Sequence, residues 1–119
     1  MSMESDLTAL LKTACPNTFP DMAPAGTVAP WVTYQAIGGQ PMRWMDNTPA
    51  DKRHTLLQIN VWTGSRAATL ALVRQIEELL CAASVFTAAP ASEPISTAEA
   101  DLMPPLYGSM QDFDIWSPR

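Results

Sequence analysis

The chain has 119 residues, the usual size of one domain burying one core, and residues 1–119 are read as such a domain. Apolar residues make up 47% and charged residues 16%, which excludes a disordered chain. A formal charge of −5 with no Lys/Arg cluster argues against a nucleic-acid partner, because binding to phosphates draws on clustered cations that release counterions.

From Met3 to Ala14, Met3, Leu7, Leu10, Leu11 and Ala14 recur at helical spacing, with Ser5, Thr8 and Lys12 opposite. This predicts a first amphipathic helix, capped by Ser2, with Glu4 and Asp6 at the positive end of its dipole. Pro16, Pro20, Pro24 and Pro30 then remove backbone donors and predict a connecting loop. Trp31 to Ile37 is rich in β-branched and aromatic residues and reads as a strand, with Val32 and Tyr34 on one side and Thr33 and Gln35 on the other. Gly38-Gly39 ends it, and a polar segment to about Thr55 follows, containing Pro41, Pro49, Met42, Trp44 and Met45. A connection of this length inside a small domain is usually functional or partly hairpin-like, so the segment is a candidate arm. Its basic run, Lys52-Arg53-His54, reads as a solvated loop.

Leu56 to Trp62 alternates, placing Leu57, Ile59 and Val61 on one face and Gln58 and Asn60 on the other, and predicts a second strand. After Thr63-Gly64-Ser65, a turn able to cap, a second helix is expected to about Ala83, burying Leu72, Val73, Ile76, Leu79, Leu80 and Ala83. Leu70 and Cys81 sit off that stripe, at the edge of the core or facing a neighbouring subunit. The Ala/Ser/Thr/Pro-rich stretch from Val85 to Met103 shows no lasting period, leaving room for short strands near Val85–Ala88 and Ile95–Ala98. Leu106 to Trp116 closes the chain as a strand with Tyr107, Ser109, Gln111, Phe113 and Ile115 on one side and acidic Asp112 and Asp114 on the other. This order predicts an α+β fold in which two helices pack on one face of a largely antiparallel four- or five-stranded sheet.

Few residues are placed to carry chemistry. His54 is the one histidine, and it has no Gly-x-Ser-x-Gly elbow or nucleophile set around it. Cys15 and Cys81 lie far apart, outside any metal or redox spacing, so two reduced thiols and no structural zinc are expected. Asp112 and Asp114 point the same way on a strand and could share a proton or a cation, but alternating acids on a wet face are ordinary, as are Glu77 and Glu78 on a helix. Gly38-Gly39 lacks the Lys and the spacing of a phosphate cradle, so no cofactor is expected. The start lacks the pattern of a secretory signal, and no apolar run approaches the roughly 20 residues of a membrane span. The expectation is therefore a cytoplasmic protein that neither enters a membrane nor catalyses a reaction.

Apolar and aromatic residues also stand where a monomer has no evident use for them. The chain carries four tryptophans, and Trp44 lies in the arm between Met42 and Met45. Either the arm folds back to cover a small core, or Met42, Arg43, Trp44 and Met45 form an assembly surface, since aromatic, Met and Arg residues are enriched at interfaces.

Three segments in order carry a resemblance. Pro30-Trp31-Val32-Thr33-Tyr34-Gln35-Ala36-Ile37 is similar to a Pro-x-Val-x-Tyr-Gln-x-Ile strand, and Leu57-Gln58-Ile59-Asn60-Val61-Trp62 to an Ile-Gln-Val-Asp-Val-Tyr strand. Leu106-Tyr107-Gly108-Ser109-Met110-Gln111-Asp112-Phe113-Asp114-Ile115-Trp116 resembles a closing Gly-Leu-Tyr-Arg-x-x-x-Asp-Phe-x-Ile-Trp pattern. All three are features of the phage and prophage tail-completion family related to the tail terminators of long-tailed phages. Pro104-Pro105 departs from the polar-Gly turn that the family commonly has there. The resemblance implies a tail-terminator-like fold and a homo-oligomeric ring, hexameric by analogy, that assembles in the host bacterial cytoplasm and becomes part of the virion tail. It further implies that the ring caps the tail tube, stops its polymerisation and prepares head-tail joining, with the tail tube protein and a head-connector protein as partners. Two other readings stay open: a small carboxylate- or metal-dependent enzyme using His54, Asp112 and Asp114, and an adaptor subunit of another bacterial assembly.

Overall fold

The computed structural model describes residues 3–40, 43, 45–46, 52–99 and 104–118. In chain order the elements are α1 (Met3–Ala14), β1 (Thr18–Pro20), β2 (Trp31–Ala36), β3 (Lys52–Thr63), α2 (Arg66–Cys81), β4 (Thr87–Pro90), β5 (Ile95–Glu99) and β6 (Leu106–Pro118). The fold is α+β: two helices and a six-stranded mixed sheet in the order β1-β2-β3-β6-β4, with β5 also paired to β6.

Two departures from the predicted sheet have physical causes. The Pro-rich segment was expected to be loop throughout, yet Thr18–Pro20 pairs parallel with β2, so the sheet is mixed. Pro20 is tolerated there because an edge strand need not donate on its outer side. The strand count also exceeds the expected four or five because β6 is 13 residues long. Its first half pairs with β5 and its second half with β4, so two short strands share one edge.

β3 also begins earlier than its alternation announced. Lys52–Thr55, expected as loop, continues the ladder opposite Pro118, Ser117, Trp116 and Ile115 of β6. Basic and polar residues have little strand preference of their own, and here the long partner strand supplies the pairing.

Alternation places one face of the central strands inward. Leu57, Ile59 and Val61 of β3 and Phe113 and Ile115 of β6 join Leu7 and Leu11 of α1 and Leu72, Val73, Ile76 and Leu80 of α2 in one buried cluster. Helix α2 packs on β3, β4 and β6, and α1 on α2 and β1. Leu79, predicted within the α2 stripe, is half-buried.

Ser65 caps α2 as its position predicts, its hydroxyl accepting from the Ala68 N–H at 3.1 Å. Thr69, fully buried in the next turn, lies 2.8 Å from the Tyr107 carbonyl, 2.9 Å from the Ser65 carbonyl and 2.6 Å from the Thr63 hydroxyl. One hydroxyl hydrogen cannot serve both carbonyls, but the Thr63 hydroxyl, 2.7 Å from the Ser65 carbonyl, can donate there as well, and the cluster ties β3, α2 and β6 together. Thr69→Val keeps the shape and removes the hydroxyl, leaving buried partners unpaired. We expect it to lower stability by about 1–3 kcal/mol, read from the urea midpoint at unchanged m-value.

Candidate assembly surface

The root of the arm is held by a specific set of contacts. The β2–β3 ladder runs on through Ile37 N–H to the Leu56 carbonyl at 2.8 Å and Leu56 N–H to the Gly38 carbonyl at 2.9 Å. Gly38 and Gly39 then turn with φ of 125° and 144°, and a Cβ on Gly39 would collide with the His54 carbonyl. Next, the Gln40 N–H donates to His54 Nδ1 at 2.8 Å. With Nδ1 accepting, the ring hydrogen sits on Nε2, 2.6 Å from Asp114 Oδ1, while the Trp116 ring lies 4.5 Å away centroid to centroid.

His54 is therefore no solvated loop residue, as its polar neighbours had suggested. It lies on β3 with its side chain 8% exposed, and Lys52 and Arg53 beside it are exposed strand residues. The structure does bring together two members of the acidic and His set, but both nitrogens of His54 are engaged in holding the arm root. Asp112 sits two pairs further along, opposite Gln58. No group of three or more His, Cys, Asp or Glu among the described residues is arranged to hold a metal ion.

Beyond this root, Arg43, Met45 and Asp46 are exposed. Met45 is 106% exposed, more than in an extended reference chain, so its side chain touches none of the core. Met42 and Trp44 of the predicted surface lie outside the described residues.

Two further apolar surfaces lie outside the arm. The outward sheet face carries Leu56, Trp62, Met110 and Trp116, each half-buried, and Trp31 and Trp62 pair at 6.5 Å. At the end of the sheet far from the arm, a groove of about 860 Å³ opens between the loop before β2, the start of α2 and the start of β6. Val28, Trp31, Ala68, Ala71, Leu72 and Leu106 line it, and no charged residue does. Beside it, Arg66 donates to the Gly108 and Thr97 carbonyls at 2.9 and 2.7 Å and lies over the Tyr107 ring. Sequence reading missed this groove because its walls come from segments distant in the chain.

With that geometry in place, one comparison is decisive: the family described as tail completion protein gp17 matches residues 2–116. The chain belongs to this tail completion family. No curated protein matches the sequence. As a tail completion protein it is a bacteriophage structural component that acts with other parts of the phage tail. The matched span includes all three strand segments that carried the resemblance and the whole arm. No helix among the described residues of this tail completion protein is long and apolar enough to cross a membrane.

The thiols follow from their surroundings. Burial pushes the Cys15 thiol up, partly offset by a hydrogen bond with the Asn17 backbone. Cys81 is exposed, yet the shielding its sulfur retains, followed by the charges of Glu77 and Glu78, also raises it. Since the thiolate is the nucleophile, Cys81 should alkylate more slowly near neutral pH than a free model thiol, and faster as pH rises. Added salt should narrow the gap by screening the two carboxylates. Mass spectrometry after timed iodoacetamide labelling reads this; a rate above that of the model thiol would contradict it.

Proposed function

We propose that this tail completion protein is a ring-forming, tail-terminator-like subunit that caps the finished tail tube, stops its polymerisation and presents a surface to the head connector. Residues 1–119 act as one domain in a hexameric ring assembled in the host cytoplasm. The observation that carries this reading is the tail-completion family match over residues 2–116, joined to an arm whose root is fixed while Met45 stands fully exposed. An apolar side chain with no core to enter is suited to burial against another protein, because burial removes its apolar surface from water. Met42, Arg43, Trp44 and Met45 form this assembly surface, and the tail tube protein and head connector are the partners.

Work by surface complementarity, without catalysis, also agrees with the site. His54 spends Nδ1 on Gln40 and Nε2 on Asp114, and Trp116 covers its ring, which leaves no nitrogen for a substrate.

Deleting the gene from the phage or prophage that carries it tests the reading. The expected result is heads and tails that fail to join, with tails of irregular length, and rescue when the intact chain is supplied in trans. Unchanged infectious titre and tail length after deletion would overturn it.

A further inference from the structure

We propose that His54 is a proton-sensitive clasp at the root of the arm: its neutral ring fastens the chain at Gln40, and protonation of Nδ1 releases it while the β2–β3 ladder stays intact. A neutral imidazole has one bare nitrogen and one N–H, and the fold uses both. Nδ1 accepts from the Gln40 N–H at 2.8 Å, and Nε2, 2.6 Å from Asp114 Oδ1, carries the hydrogen. The side chain is 8% exposed, so water has little access to stand in for either partner.

A second proton can enter the ring only at Nδ1, where it meets the Gln40 N–H donor to donor. One side must then move. Asp114 holds the charged ring more tightly than the neutral one, because both partners of the bond are then ionised, and the Trp116 ring lies 4.5 Å away. Turning the ring out would forfeit both contacts. Gln40 is exposed, so little packing retains it once its bond is lost. Behind it, Gly38 and Gly39 have no side chain to repack as the chain swings away. The bonds from the Ile37 N–H to the Leu56 carbonyl and from the Leu56 N–H to the Gly38 carbonyl involve no titratable group and should persist. The hinge therefore lies between Gly38 and Gln40.

Imidazole is the side chain whose charge ordinarily changes between about pH 5 and 8, so mild acid is the signal such a clasp reads. Charged groups surround it on several elements. Asp114 of β6 touches the ring, and Asp112 lies further along the same strand. Lys52 and Arg53 of β3 are exposed, Lys52 on the His54 face of the sheet and Arg53 on the other. Arg43 and Asp46 of the arm are exposed and make contacts of their own. β4 and residues 37–40 bring no charged side chain, and the helices cover the opposite face, that of Leu57. These charges set the pH at which the ring takes up its proton, but Nδ1 cannot accept from Gln40 at any pH once it carries a hydrogen.

Two NMR readouts on the purified, isotope-labelled chain test this across a pH titration. The imidazole nitrogen shifts report which nitrogen of His54, the one histidine of the chain, is protonated. The exchange rate of each backbone amide, corrected for its intrinsic pH dependence, reports local opening. Near neutral pH, Nδ1 should be bare. On acidification Nδ1 should gain its hydrogen, and protection of the Gln40 amide should fall at least about tenfold with the same midpoint, while the Leu56 amide keeps its protection. Neither readout needs a variant. In His54→Gln, which cannot titrate, the Gln40 amide should show no such step. An Nδ1–H tautomer at neutral pH, Gln40 protection that survives titration of the ring, or the same step in His54→Gln would each overturn the clasp. Collapse of the ladder before the ring takes up its proton would do so too, since the device requires the ladder to outlast the Gln40 bond.

Discussion

Phe113→Ala should lower stability by about 3–5 kcal/mol, enough to leave a domain of this size marginally folded at 37 °C. Phe113 is fully buried at the centre of β6, opposite Leu57 of β3 and Pro90 of β4. The aromatic ring carries a large share of the cluster that joins both helices to the sheet, and alanine returns none of its contacts. Because β6 is paired with β3 on one side and with β4 on the other at this point, the cavity sits between two strand pairings, with little room to collapse. Urea unfolding reads the effect as a lowered midpoint with a similar slope. A loss below about 1 kcal/mol would mean that the site relaxes freely and that β6 is not the centre of the core.

Met45→Asp should show the reverse pattern. Since Met45 makes no core contact, its replacement should move stability by no more than about 0.5 kcal/mol. Tail completion, however, should fail. A buried anchor at an interface contributes on the order of 2–4 kcal/mol, which corresponds to roughly 30- to 1000-fold in affinity per contact. An aspartate there must also be desolvated without a partner. The paired measurements are thermal unfolding of the purified variant and infectious titre when it complements a deletion. Normal titre would remove Met45 from the assembly surface. A large loss of stability would show instead that the arm supports its own core.

How much of this was legible depended on the range of the interactions concerned. The bounds of α1, the start of β2, the alternation of Leu57, Ile59 and Val61 and the Ser65 cap all arise from local periodicity, and each stands where the residues indicate. The segment Thr18–Pro20 gave no such signal, since it is a strand only because β2 lies beside it. Lys52–Thr55 is similar: its basic residues read as loop until the length of β6 is known.

The site divides in the same way. Met45 stands out in the sequence as an isolated apolar residue of a polar segment, and its side chain is exposed. The His54 contact with Asp114 spans 60 residues, and the groove draws on the segment before β2, α2 and β6 together. Neither has a sequence period, so only the folded chain reveals them.

The central claim, that this tail completion protein caps the tail tube, is tested most directly by adding the purified chain to growing tail tubes and imaging them by negative stain. The account predicts rings at one end of each tube and an end to further elongation. Tubes that continue to lengthen with bare ends, or that carry the protein along their sides, would contradict it.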